Sequence, residues 1–159
     1  MNSVQICAAY NPDTEACRAF ALAYDVPVAA ASVGELLENC DSVYVASPNN
    51  SHYDYCKLAL EAGKNVLCET PFVLEKAQAE ELYALAEAKG LTLMVALKTA
   101  YCPAFGHLVT LLKSGAIGEI VDINASTTTL MDENSPKLGS SLAGGSMMVF
   151  LGPLQVVLA

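Results

Sequence analysis

Three apolar runs in this 159-residue chain stop at polar turns, and those turns hold most of the side chains able to do chemistry. Ser47-Pro48-Asn49-Asn50, with His52 close behind, follows the run Val43 to Ala46. Glu69-Thr70-Pro71 follows the run Asn65 to Cys68, and Lys98 follows Leu91 to Leu97. Each turn leaves the carboxyl end of a strand, and in an open parallel sheet those ends form the ligand crevice. Glu69 and Lys98 bring opposite charges to it, whereas the Thr70 hydroxyl does not titrate near neutrality. His52 and Cys56 stand four apart on one helix and could share a metal, but no clear third ligand accompanies them, so no metal is expected. No serine or cysteine nucleophile stands with a histidine in a pattern that would serve hydrolysis.

The elements that must position these residues follow from periodicity. Val4 to Ala9 is a short apolar strand, and Asn11-Pro12-Asp13 turns into a helix whose Cys17, Phe20, Ala21 and Tyr24 recur at helical spacing. Val28 to Ala30 reads as a strand and Ser32 to Glu38 as a short helix. Ser51 with Asp54 suggests a capping box opening a helix of about eleven residues, with Tyr55, Leu58, Ala59 and Ala62 as its buried stripe and Gly63 as its end. Leu74 to Lys89 is a long acidic-faced helix closed by Gly90. Leu91 to Leu97 lacks alternation, as expected of a strand buried on both faces. Pro103 to Ser114 is a helix with Phe105, Leu108, Val109 and Leu112 on one side. Repeated strand and helix alternation argues a doubly wound α/β fold. Beyond Gly118 the pattern changes: Ile120 to Leu130 alternates like a half-buried strand, and Gly144-Gly145 leads into an apolar helix.

Composition narrows the function. Seventeen acids against eight bases give a net charge of −9, with Arg18 the only arginine, which argues against a nucleic-acid surface and favours a small-molecule ligand. With 53% hydrophobic residues and a mean hydropathy of +0.38 the chain is too apolar for disorder, yet no run approaches a membrane span. Six cysteines without a C-x-x-C pair, and no leader at the start, predict reduced thiols in a soluble cytoplasmic protein.

The stretch Val43 to Pro71 resembles the glucose-fructose oxidoreductase, inositol dehydrogenase and MocA (Gfo/Idh/MocA) family of NAD(P)-dependent oxidoreductases. Members carry Thr-Pro-Asn-x-x-His after one strand and Glu-Lys-Pro after the next; this chain reads Ser47-Pro48-Asn49-x-x-His52 and Glu69-Thr70-Pro71. The resemblance implies a Rossmann-type parallel sheet lacking its first β-turn-α unit over residues 1–118, followed over 119–159 by the start of an α+β substrate and oligomerisation domain. It implies NAD or NADP as cofactor, with Pro48, Asn49 and His52 beside the nicotinamide ribose and Glu69 facing the nicotinamide. Pro71 matches a proline often held in cis, and Asn11 stands nearest the place of the ribose partner. Weak cofactor binding is expected, because the family's Gly-x-Gly-x-x-Gly phosphate turn has no counterpart in the sequence. Thr70 replaces the family lysine, so Lys98 or Tyr101 would stand in for it. The second domain's Asp-x-Gly-x-His stretch has no match after Gly144-Gly145.

Plainer roles stay open for several of these residues: a helix cap for Asn11-Pro12-Asp13, a turn for the asparagines, a solvated acid for Glu69, a surface lysine for Lys98. Three functions compete accordingly. One is a dehydrogenase of sugars, polyols or related hydroxy compounds; the second is a non-catalytic binding or assembly module; the third is a truncated gene product. A small-molecule substrate and a homo-oligomer are expected, with no membrane and no nucleic-acid partner.

Overall fold

The computed structural model describes residues 4–122. Strands and helices alternate as β1 (Ala8–Tyr10), α1 (Thr14–Ala23), β2 (Val28–Ala30), α2 (Val33–Glu38), β3 (Ser42–Val45), α3 (His52–Glu61), β4 (Asn65–Cys68), α4 (Lys76–Lys89), β5 (Leu93–Val95) and α5 (Pro103–Lys113). Every strand pairing is parallel. β1 pairs with β2, and β3, β4 and β5 form a second sheet in that order, with Tyr44 opposite Leu67 and Leu67 opposite Met94. Parallel neighbours need a crossover, which α1, α3 and α4 supply, while α2 leads from one sheet to the other. This is the α/β arrangement that the alternation predicted.

Local chemistry sets the helix ends. The Asp13 carboxylate caps α1 by accepting from the Glu15 and Ala16 N–H groups, and the Ser32 hydroxyl does the same for α2 at Glu35. Gly90 closes α4 with φ of 65°, a left-handed conformation that only glycine adopts without a Cβ penalty. Periodicity then places the core. Val45, Val66 and Cys68 point from the larger sheet onto Cys56, Ala59 and Leu60 of α3 and Leu82 and Ala86 of α4. Leu60 and Leu82 are fully enclosed, and each contributes about 1.5 to 3 kcal/mol by leaving water. Leu37 of α2 packs against this cluster while α2 itself lies on β1 and β2, so one short helix joins the two sheets.

Several expectations are corrected. The first strand is Ala8–Tyr10, not Val4 to Ala9; Val4 and Ile6 are exposed and pair with nothing regular. Ser51 builds no capping box: its hydroxyl donates to Ser47 Oγ and the Pro48 carbonyl, closing a 3-10 turn, Asn49–Ser51, ahead of α3. The buried face of the helix also differs from the expected one. His52, Cys56, Ala59 and Leu60 are buried, while Leu58 and Ala62 of the expected stripe face solvent. On α1 only Cys17 and Ala21 are buried, and Phe20 and Tyr24 stack on each other outside. β5 covers Leu93–Val95 and buries neither face fully, because Met94 looks onto the open side of the sheet. On α5 the side chains of Phe105, Val109 and Leu112 are half-buried and Leu108 is exposed. Of the strand expected over Ile120 to Leu130 only residues 120–122 fall within the described part, where they form no strand; the rest of it and the Gly144-Gly145 region lie outside the described residues.

Candidate functional site

The carboxyl ends of β3, β4 and β5 lie side by side, and the polar turns leave from them. Alternation along parallel strands puts residues two apart on the same face. Tyr44, Leu67 and Met94 are in register on the face opposite α3 and α4, and Glu69 comes two residues after Leu67. The Tyr44 hydroxyl therefore reaches Glu69 and donates a hydrogen bond to Oε1. After β5 the chain coils tightly, with the Leu97 N–H on the Val95 carbonyl and the Lys98 N–H on that of Ala96. This brings the Lys98 ammonium to 3.2 Å from the same Oε1, while Glu69 Oε2 accepts from the Thr70 N–H at 3.3 Å.

Electrostatics follow from those contacts. Partial burial works to raise the Glu69 carboxyl, but hydrogen bonds from Tyr44, Lys98 and the Thr70 N–H outweigh it and hold the group below the usual carboxylate value. Burial and the bond to Glu69 push the Tyr44 phenol the other way, up to about 12. Glu69 is thus ionised and Tyr44 protonated at neutral pH.

A second cluster shapes the turns. His52 is 1% exposed, and its ring stands between the Pro71 carbonyl (Nδ1, 2.8 Å) and the Ser47 carbonyl (Nε2, 2.8 Å). It joins the turn after β3 to the turn after β4, where the Thr70–Pro71 peptide bond is cis as the resemblance implied. Cys56, one turn along α3, lies against Cys68. The bond between the two thiols, together with burial, raises Cys68 far above an ordinary thiol. Both belong to the core, and no group of three potential metal ligands occurs among the described residues.

The remaining candidates divide. Asn11 accepts the Asp13 N–H at 2.9 Å at the carboxyl end of β1, and the adjacent Tyr10 ring meets that of Tyr55 in α3 edge-on. Pro48 is exposed at the rim and Asn49 half-buried behind it. Tyr101 is 62% exposed and lies near Tyr83 of α4, whose phenol it helps burial to raise; Lys98 is the one that meets Glu69. Tyr44 escaped the sequence reading, because Val43-Tyr44-Val45 looks like plain strand. Its signal was the alternation itself: with both valines facing the core, a hydroxyl-tipped ring must point to the open face.

Residues 1–97 match the model of an oxidoreductase family with an NAD-binding Rossmann fold. The chain is 32% identical over 146 residues to a trans-1,2-dihydrobenzene-1,2-diol dehydrogenase of Xenopus laevis, covering 91% of this chain and 44% of that protein. It is 37% identical over 106 residues to an NADP-dependent scyllo-inositol 2-dehydrogenase of Bacillus subtilis, covering 65% of this chain and 32% of the other. A 3-ketoreductase of Actinomadura kijaniata, solved with NADP and TDP-benzene, superposes with a TM-score of 0.85 at 28% identity over 96% of this chain and 47% of its own. The chain thus spans less than half the length of these proteins.

The donor set suits part of such a dinucleotide. Amides at Asn11 and Asn49 and the carboxylate of Glu69 match the hydroxyl and amide groups of a ribose and nicotinamide. For the diphosphate the sequence holds no Gly-x-Gly turn, and Arg18 lines a surface cleft with Leu22, Asp25 and Pro27.

Proposed function

The chain belongs to the Gfo/Idh/MocA oxidoreductase family, and from that premise we propose that it uses NAD or NADP to oxidise or reduce a sugar, polyol or related hydroxy compound. The bound nicotinamide would accept or supply hydride at the carbon of a carbinol and ketone pair. The relatives named above support that substrate class, as dehydrogenases of a diol and an inositol and a ketoreductase. The observation that carries the reading is the Lys98 ammonium 3.2 Å from Glu69, next to Thr70. Thr70 has no charge to offer a reacting C–O bond, and Lys98 returns a cation to the same corner of the crevice from the neighbouring strand.

Each residue then has a part. Asn11, Pro48 and Asn49 line the ribose side, and Glu69 faces the nicotinamide. His52 holds the shape of the two turns through the contacts of its ring with the Ser47 and Pro71 carbonyls. Lys98 is the cation for the reacting oxygen, with the exposed Tyr101 as the alternative donor. Activity is impaired relative to enzymes with the family lysine, since a flexible, mostly exposed ammonium orients a substrate poorly. Six free thiols fit a reducing cytoplasmic location, and a homo-oligomer is the assembly we expect.

Thr70 also favours a second reading, a binding module that keeps the crevice without the chemistry. Amide chemical shifts during titration with NADP+ and NAD+ test the first half of the proposal: perturbations should gather at Asn11, Asn49, Glu69 and Lys98, with a dissociation constant in the millimolar range, about 4 kcal/mol of binding. No perturbation at ~10 mM nucleotide would overturn it. Nucleotide binding without absorbance change at 340 nm across a panel of sugars, polyols and their ketones would select the binding module.

A further inference from the structure

We propose that Tyr44 is a positioning residue of this crevice: its hydroxyl fixes the Glu69 carboxylate, and that carboxylate in turn fixes where the Lys98 ammonium stands. The inference rests on the reading that Lys98 is the cation of the site. It starts from the contrast between two side chains. Lys98 is 80% exposed, and a lone ion pair at that exposure holds a long side chain weakly. Glu69 is the opposite, its side chain 23% exposed and met by donors from three directions.

The three donors come from three different pieces of backbone. Tyr44 rises from β3, Lys98 returns from beyond β5, and the Thr70 N–H belongs to the turn after β4 itself. Tyr44 and Lys98 share Oε1, whereas Thr70 takes Oε2. Only the tyrosine donor is carried by a rigid ring on a strand whose neighbours in the sheet are hydrogen-bonded in register. Removing it frees the carboxylate to rotate about its last torsions, and the ammonium loses its fixed acceptor. Among the described residues the other ionisable group whose charge reaches this cluster is Cys68, on the core face of β4, whose thiol is buried and protonated. Tyr44 does not exchange protons at neutral pH, since the phenol is pushed up to about 12. It acts by holding, and Lys98 acts on the substrate.

Tyr44→Phe in the full chain removes the hydroxyl and leaves the ring. Side-chain carboxyl carbon NMR, assigned through Glu69→Gln, should show the Glu69 titration midpoint moving up. Nitrogen relaxation of the Lys98 ammonium should show greater mobility, and the NADP+-induced shift at Lys98 should be lost while that at Asn49 persists. Should Tyr44→Phe fail to fold, uniform replacement of tyrosine by 3-fluorotyrosine, a stronger donor of nearly equal volume, must instead move the Glu69 midpoint down. The first two readouts need neither nucleotide nor turnover. A Glu69 midpoint and Lys98 mobility unchanged in Tyr44→Phe overturn the positioning role even where NADP+ binds, whereas absent nucleotide binding with both readouts altered overturns the oxidoreductase reading and leaves the Tyr44 contact established.

Discussion

At the scale of single residues, Glu69 and His52 differ in what holds them and so in what their loss costs. Glu69 titrates below 4.5 in the folded chain and near it when unfolded. Its contribution to stability is therefore complete above that value and disappears as pH falls through the folded midpoint. Melting temperature followed from neutral pH into acid should fall more steeply through the carboxylate range than it does in Glu69→Gln; identical profiles would contradict this. His52 is a different matter, because its buried ring lies 2.8 Å from two carbonyl oxygens, can donate its N–H to one of them, and fills space in the core. His52→Ala removes the donor from one of the Ser47 and Pro71 carbonyls and opens a cavity, at about 1 kcal/mol for the bond plus a packing loss, about 3 kcal/mol in all. Urea denaturation reads that loss directly, and a change under 1 kcal/mol would show the ring to be dispensable. Such a residue was visible in the sequence as part of a motif, but its partners were not. His52 is buried at the first position of α3, directly after a 3-10 turn, and nothing in Ser51-His52-Tyr53-Asp54 announces that turn. The meeting of Glu69 and Lys98 was legible only as two polar residues at neighbouring strand ends, and Tyr44 required knowing which face of β3 the sheet leaves open.

At the scale of elements, helix pairs rather than surface charges hold the larger sheet together. Lys57 of α3 bonds Glu81 of α4 at 2.6 Å and the Tyr53 hydroxyl at 3.2 Å, while Tyr53 donates to Glu81 at 2.7 Å. These contacts sit at the solvent edge, where water screens an ion pair and leaves it little net stabilisation. Below them, Leu82 is fully enclosed between α3 and the sheet. Leu82→Ala should cost about 2 to 5 kcal/mol, and Lys57→Met far less, because water screens its ion pair. Chemical denaturation of the two variants ranks them, and a larger loss for Lys57→Met would reverse this account of the interface. The same contrast explains what was legible. α4 and its Gly90 stop were readable because a long periodic segment and a left-handed glycine are local signals, and Val28–Ala30 was bounded by an equally local proline and serine. The burial stripes of α1 and α3 were misread because they depend on which side the sheet lies. With small sheets and short strands, Phe20, Tyr24 and Leu58 end outside although their spacing is helical.

At the scale of the whole molecule, the two sheets are the decisive fact. Among the described residues β1 and β3 are not hydrogen-bonded to each other, and each has one edge with no strand paired to it. Unpaired edges of that kind recruit other strands unless they are covered. The same molecule leaves Tyr44, Leu67 and Met94 looking out from one face of β3, β4 and β5, and the apolar side of α5 with no fully buried residue. Single exposed apolar residues are ordinary, whereas an apolar sheet face beside an open edge is a surface on which chains associate. We expect the 159-residue chain to self-associate in a concentration-dependent way, with Leu67→Lys weakening the association by setting a charge in the centre of that face. Sedimentation velocity over a hundredfold range of concentration gives the outcome, and amide exchange at Ala8–Tyr10 shows whether the free edge of β1 becomes protected as assembly proceeds. A single species of 16.7 kDa at every concentration, with β1 exchanging like a loop, would mean that neither the edge nor the face needs a partner.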